Sequence, residues 1–215
     1  MSMADPVSVR DLAARYRGRT VIRGVSFVLR AGERLALTGA NGSGKTTTLR
    51  MLAGLVAPVA GSGHVLGADV RRFRAIPRGR IGYMPQTIGL YPELDVWTNL
   101  LFRARVLGLA DPAGVVARAL DSHGLGDHAR TRVGHLSGGW ARRAQWVASV
   151  LHRPPLLLLD EPTAGLDSAT HGEFRSWLDR FAADGHAIVL ITHNAVDLAT
   201  CDRVLHFRDG RADPV

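Results

Sequence analysis

Lysine is almost absent from this chain. Of its 27 lysine and arginine residues, one is lysine, Lys45, and the rest are arginine. Cysteine is as rare. Cys201 is alone, which excludes an internal disulfide, gives the plain expectation of a cytosolic chain, and marks no functional role. Long apolar runs are missing too. The longest, "LLLL" before Asp160 and "IVLI" near residue 190, are strand-sized, far short of the roughly 20 residues that cross a bilayer. The opening "MSMADPVSVR" has no apolar core, so no signal peptide is expected. Acidic residues are in deficit, 19 against 27 basic ones, for a net charge of +8. An excess of that sign suits nucleic acid or an anionic membrane surface. The arginines are scattered rather than clustered, so no nucleic-acid partner is expected, and the charge speaks only weakly for anionic lipid.

What is present is ordinary for a globular chain: 215 residues, 46% hydrophobic and 21% charged. Residues 1 to about 85 read as strand-rich, with alternating or short apolar runs broken by glycine. Within them "KTTTLRMLAGL" has helical spacing and a stop at Gly54. Residues from about 92 to 153 read as helical. "DVWTNLLFRARVLGL" has Asp95 as N-cap, "DPAGVVARALDSHGL" is a second helix, and "SGGWARRAQWVASVLHR" is capped by Ser137 and ended by Pro154-Pro155. Residues 155 to 215 return to strands alternating with helices, ending in a strand and turn at "RVLHFRDGR". Such alternation implies a mostly parallel sheet. The fold class expected is α/β, with the helical zone inserted in it.

"GANGSGKT", Gly39 to Thr46, fits G-x-x-x-x-G-K-[ST], follows the strand-like "RLALT" and opens a helix. Glycines let the backbone take positive φ and curl its N–H groups toward phosphate oxygens. The helix N-terminus adds its positive dipole end. Thr46 offers a hydroxyl to Mg²⁺, and Lys45 supplies a compact ammonium that reaches between β- and γ-phosphates.

"PPLLLLDEPTAGLD" sets two carboxylates where an apolar strand ends. Adjacent buried carboxylates are costly without a cation. Asp160 is therefore expected to hold Mg²⁺, through water, and Glu161 to polarise an attacking water. A second apolar strand, "AIVLITH", ends at His193, placed to hydrogen-bond the γ-phosphate and that water.

Together "GANGSGKTT", "YMPQ", "LSGGW", "LLLLDEPTAGLD" and "ITH", in this order, resemble the ATP-binding subunit of ABC transporters across nearly the whole chain. The resemblance implies a P-loop NTPase with a mostly parallel core sheet, an N-terminal antiparallel β subdomain and an inserted helical subdomain. It implies a single domain over 1–215, in which about 1–91 and 155–215 form the core with the β subdomain and about 92–154 the helical signature subdomain. It assigns Gly39, Ala40, Asn41, Gly42, Ser43, Gly44, Lys45, Thr46 and Thr47 to the nucleotide. Tyr16 becomes the aromatic that stacks on adenine, and Gln86 the glutamine that touches Mg²⁺ and senses the γ-phosphate. Ser137, Gly138 and Gly139 become the signature that closes over ATP held by a partner cassette. Asp167 becomes the loop residue that communicates between the two sites, Glu161 the catalytic base and His193 the switch histidine. One departure stands out: Trp140 follows "LSGG", where the family usually has Gln. Trp offers one donor and no amide acceptor, so it is expected to pack as a bulky residue while the serine and glycines keep phosphate recognition.

The resemblance further implies a Mg²⁺-dependent ATP hydrolase. It pairs head to tail with a second copy or a paralogue and docks on separate permease subunits at the inner face of the cell membrane. "IGLYPELDVWTNLLFRARVLGL" is similar to ATPases of exporters, multidrug-type ones above all, and the compact length to the haem exporter of cytochrome c maturation. Tyr91 and Leu94 are candidates for the permease groove. The rival reading is a soluble ABC ATPase of iron–sulfur assembly or nucleic-acid maintenance. The chain carries neither the coiled-coil insertions nor the zinc cysteines that would favour the nucleic-acid branch.

Overall fold

The computed structural model describes residues 5–16 and 18–215; the leader expectation rests partly on residues 1–4, outside that set. Two sheets form. The first is antiparallel: β1 (Val7–Tyr16), β2 (Arg19–Leu29), β4 (Ala60–Val65) and β5 (Ala68–Asp69), in the order β2-β1-β4-β5. The second contains β3 (Arg34–Gly39), β6 (Ile81–Met84), β7 (Leu156–Asp160), β8 (Ala187–Ile191), β9 (Arg203–Arg208) and β10 (Arg211–Pro214), in the order β10-β9-β3-β8-β7-β6. Its pairs are parallel except for the β9–β10 hairpin at the edge.

β7 and β8 are buried along their whole length, as parallel strands covered on both faces must be. Their alternation divides the core. Leu156, Leu158, Val189 and Ile191 face one hydrophobic cluster, shared with the antiparallel sheet and with Leu49 and Leu52 of α1 (Lys45–Leu52). Leu157, Leu159, Ile188 and Leu190 face the other, shared with the later helices. Those helices are α2 (Val96–Val106), α3 (Pro112–Ser122) and α4 (Gly138–Val150), all inserted between β6 and β7, then α5 (Ser168–Ala183) and the short α6 (Ala195–Leu198).

Local chemistry accounts for most helix starts. Asp95 accepts from Thr98 N at 2.6 Å and caps α2, as its position predicts. Asp111 caps α3 through Gly114 N at 3.0 Å. Ser137 departs from expectation. It sits at the N-cap of α4 with extended backbone but makes no side-chain cap bond. Nor does the Pro154-Pro155 pair end that helix. α4 stops at Val150, and Arg153 turns the chain with φ 48° before the prolines. The C-terminus gains a strand. The Asp209–Gly210 pair, both at positive φ, turns β9 back as β10, the dipeptide that tight hairpins favour.

Candidate functional site

In an open parallel sheet, ligand sites form beyond the carboxyl ends of the strands. Here the loop after β3 holds Gly39 to Gly44, β7 ends at Asp160, His193 lies two residues past β8, and Gln86 lies two past β6. Because β3 and β7 both pair with β8, the glycine loop and the two carboxylates meet across a single strand. A cavity of about 270 Å³ opens there, lined by Asn41, Gly42, Gly44, Lys45, Thr46, Thr47, Gln86 and Glu161, with Val21 and Ile191 as apolar walls.

The loop glycines have structural causes. Gly39 has φ 126°, and a Cβ there would land on the Phe207 carbonyl oxygen. Gly44 has φ 113°, and a Cβ would strike the Ile22 side chain. Lys45 is 5% exposed. Its Nζ donates to Gly39 O at 2.5 Å and Ala40 O at 2.9 Å. Burial lowers its pKa, opposed by the Glu161 and Asp160 carboxylates. Asp160, 4% exposed, shows the mirror effect. Burial raises its pKa and the Glu161 charge adds to that, while the Thr46 hydroxyl bond and the Arg50 and Lys45 charges oppose. Glu161 takes φ 49°, a left-handed conformation that a non-glycine residue holds at a cost. Its Oε2 accepts from Gln86 Nε2 at 2.9 Å, and its Oε1 lies 3.7 Å from His193 Nε2.

The donor set fits a polyphosphate with Mg²⁺. The Ser43 hydroxyl is buried without a partner. The Thr46 hydroxyl and Asp160 carboxylate sit together, two oxygens of the kind a Mg²⁺ ion takes alongside phosphate oxygens and water. Glu161 and His193 face each other beside this group, as their Oε1 and Nε2 atoms show. The arrangement can bind phosphate, neutralise it, and take a proton from water.

Other expected residues lie elsewhere. Tyr16, Ser137, Gly138, Gly139 and Asp167 do not line this cavity. Tyr16 is 66% exposed at the end of β1. Asp167 caps α5: its carboxylate accepts from Ala169 N, Thr170 N and the Thr170 hydroxyl, and the Thr170 donors hold its pKa below the ordinary carboxylate value. Ser137 is exposed, and a Cβ on Gly138 or Gly139 would meet nothing within 4 Å. Trp140 packs inside its own helical region. Its ring centroid is 4.1 Å from that of His128, and the Arg143 guanidinium lies 4.5 Å over it.

One group was not foreseen. Asp197, 1% exposed, gathers three donors: Thr163 Oγ1 at 2.7 Å, Thr192 Oγ1 at 3.1 Å and His171 Nε2 at 2.7 Å. Thr163 follows Glu161 and Thr192 precedes His193, so one carboxylate ties the segments after β7 and β8 to α5. The only cue in the sequence is an acid within the otherwise apolar "AVDLA".

The chain is similar to known proteins. The family model described as ABC transporter matches residues 22–164. A Nod factor export ATP-binding protein of Burkholderia orbicola is 37% identical over 214 residues, which is 98% of this chain and 70% of that protein. A linearmycin resistance ATP-binding protein of Bacillus subtilis is 32% identical, over 92% of this chain and 65% of that one. Among solved structures, an ATP-binding subunit of an ABC transporter superposes with a TM-score of 0.87 at 31% identity, over 96% of this chain and 87% of that one. A dimeric ATP-binding cassette in a post-hydrolysis state, bound to ADP and Pi, shares the fold with a TM-score of 0.89 at 23% identity, over 96% of each chain.

Proposed function

The chain belongs to the ABC transporter family of ATP-binding proteins, and on that premise we propose that it is the ATP-hydrolysing subunit of an exporter, acting with Mg²⁺ as one half of a head-to-tail pair. One observation carries the catalytic reading: Glu161, strained at φ 49°, meets Gln86 and His193 at the mouth of a glycine loop that already holds Lys45.

Gly39 to Thr47 wrap the phosphates with backbone N–H groups, and Lys45 exchanges the Gly39 and Ala40 carbonyls for phosphate oxygens. Thr46 and Asp160 would hold Mg²⁺, with Gln86 beside them; the ion, when bound, neutralises charge building on the β- and γ-phosphates. Glu161 takes the proton of the attacking water. His193 orients that water against the γ-phosphate. Tyr16 offers its exposed ring to adenine. Asp167, held at the start of α5, carries the state of one site toward the other.

The signature reading has its own support. Gly138 and Gly139 sit in helical backbone without positive φ, and nothing inside the chain would meet their Cβ atoms. Glycine there weakens a helix by about 0.5–1 kcal/mol each. The demand for it comes from outside: the close approach of a partner's nucleotide to the N-terminus of α4.

The names of the relatives speak for export, and they lend no support to iron–sulfur assembly, nucleic-acid maintenance or haem export. Among the described residues no helix is long and apolar enough to cross a membrane; the transport reading assigns the crossing to separate membrane subunits and gives this chain a peripheral place on the inner face. A groove of about 490 Å³ suits their docking. Tyr91, Phe102, Val106 and Leu55 line it, and Tyr91 meets Phe102 edge to face; Leu94 lies outside its lining. Co-expression with a candidate membrane subunit tests the proposal. The protein should then sediment with membranes and release phosphate faster. Recovery in the soluble fraction with an unchanged rate overturns the transport part, and no ATP hydrolysis under any condition overturns the rest.

A further inference from the structure

β6 ends at Met84, so the carbonyls of Pro85, Gln86 and Thr87 leave the sheet ladder and need other partners. α4 supplies them. Arg142, Gln145 and Ser149 follow one another at helical spacing and share one face. The Gln145 amide nitrogen donates to Pro85 O at 3.0 Å and to Thr87 O at 2.9 Å. Arg142 Nη1 donates to Gln86 O at 2.7 Å. Ser149 Oγ donates to Gln145 O at 2.9 Å and reaches Tyr83 O at 3.4 Å. The residue on each side of Gln86 is thus held by one buried amide, and Gln86 itself by an arginine.

Gln145 is an expensive way to fill this space. It is 3% exposed, and its Oε1 has no partner. Flipping the amide would set that oxygen against two carbonyls, so the network admits only this orientation. An aliphatic side chain would pack with α4's other buried residues and spare the unpaired Oε1, but it would leave the Pro85 and Thr87 carbonyls without these donors. What only the amide provides is the pair of bonds on either side of Gln86, whose own Nε2 donates to Glu161 Oε2 at 2.9 Å.

We infer that Gln145, assisted by Arg142, is a positioning residue that holds the Gln86 segment in register with Glu161. The inference rests on the reading above that Gln86 serves hydrolysis. α4 also opens with the signature glycines, three residues before Arg142. The helix that would face a partner's nucleotide is therefore bonded, in the same chain, to the glutamine of its own site.

The test is a double-mutant cycle on ATP hydrolysis with Gln145→Met, which keeps length and removes both donors, and Gln86→Ala. Gln145→Met should lower kcat roughly 10- to 100-fold, the effect of a misplaced group near the reacting atoms. KM for ATP should stay within about twofold, because the glycine loop is untouched. Added to Gln86→Ala it should change kcat no further, because its effect passes through Gln86. A normal kcat, a rise in KM alone, or losses that multiply in the double variant each overturn the inference and leave Gln145 as packing. A fully active Gln86→Ala sinks the underlying reading, and the inference with it. If Gln145→Met does not fold, Arg142→Met on the half-exposed side of the clamp runs the same cycle, with Arg142→Lys as rescue; multiplying losses there overturn the inference equally.

Discussion

The loop at Gly39–Gly44 and the segment at Ser137–Gly139 are both glycine-bearing entries to a helix, yet the chain builds them by opposite logic. At Gly39 and Gly44 positive φ and close contacts from Phe207 and Ile22 leave no room for a side chain. At Gly138 and Gly139 the backbone is helical and the surroundings are open. The first loop is specified from within and is complete in one chain. Nothing among the chain's described residues accounts for the second, and the proposed head-to-tail pair would supply the missing surface. In that proposed pair, a nucleotide held between them would belong to two molecules, and neither alone would be a full enzyme.

The largest expected effect tests the inward site. Glu161→Gln should bind ATP normally and lose about 10²- to 10⁴-fold in turnover, the usual worth of a general base, and accumulate as a closed dimer on gel filtration with ATP. Steady-state hydrolysis at the normal rate would remove Glu161 from that role. Lys45→Arg comes next. The Lys45 ammonium fits between two carbonyls at 2.5 and 2.9 Å, and a planar guanidinium does not. ATP binding by titration should weaken at least tenfold, roughly 1.4 kcal/mol, and wild-type affinity would refute the steric argument.

A pair of alanine variants then sets the two loops directly against each other. Gly39→Ala should cost about 2–4 kcal/mol of stability through strain and overpacking, read as a lowered melting temperature. Gly139→Ala should leave melting unchanged or raise it by about 2–4 °C, as about 1 kcal/mol does in a chain this size, while depressing ATPase activity in the dimer. Equal melting losses in both would erase the contrast. The smallest effect belongs to Trp140→Gln. Loss of the stack on His128 and Arg143 should cost about 1–2 kcal/mol with little change in rate. A large rise in ATPase rate would instead mean that Trp140 restrains closure.

Much of the inward site was legible because its determinants are local. A strand, a glycine loop and a helix follow one another within residues 34–52, and the two carboxylates close the "LLLL" strand. Asp95 announced its helix because an N-cap bonds within three residues. What stayed hidden depends on contacts between distant stretches. Asp197 joins positions 163, 171 and 192, and Gln145 reaches back about 60 residues. No periodicity records either. The strand β10 escaped for another reason: "RADP" lacks alternation and carries a proline, which an edge strand tolerates. Ser137 misled because its residue type is that of a cap, while its hydroxyl is left free of one.

The solitary lysine has a practical corollary. Reagents that acylate amines normally scatter over a protein surface, but here Lys45 is the one side-chain amine, leaving the α-amino terminus as its only amine competitor. Burial lowers its pKa and so raises the share of reactive free amine, while its carbonyl partners and low exposure slow the encounter. The molecule is therefore an addressable object. The mass increment on the Lys45 peptide, present or absent, reports whether the phosphate loop is filled, without a mutation or a second enzyme.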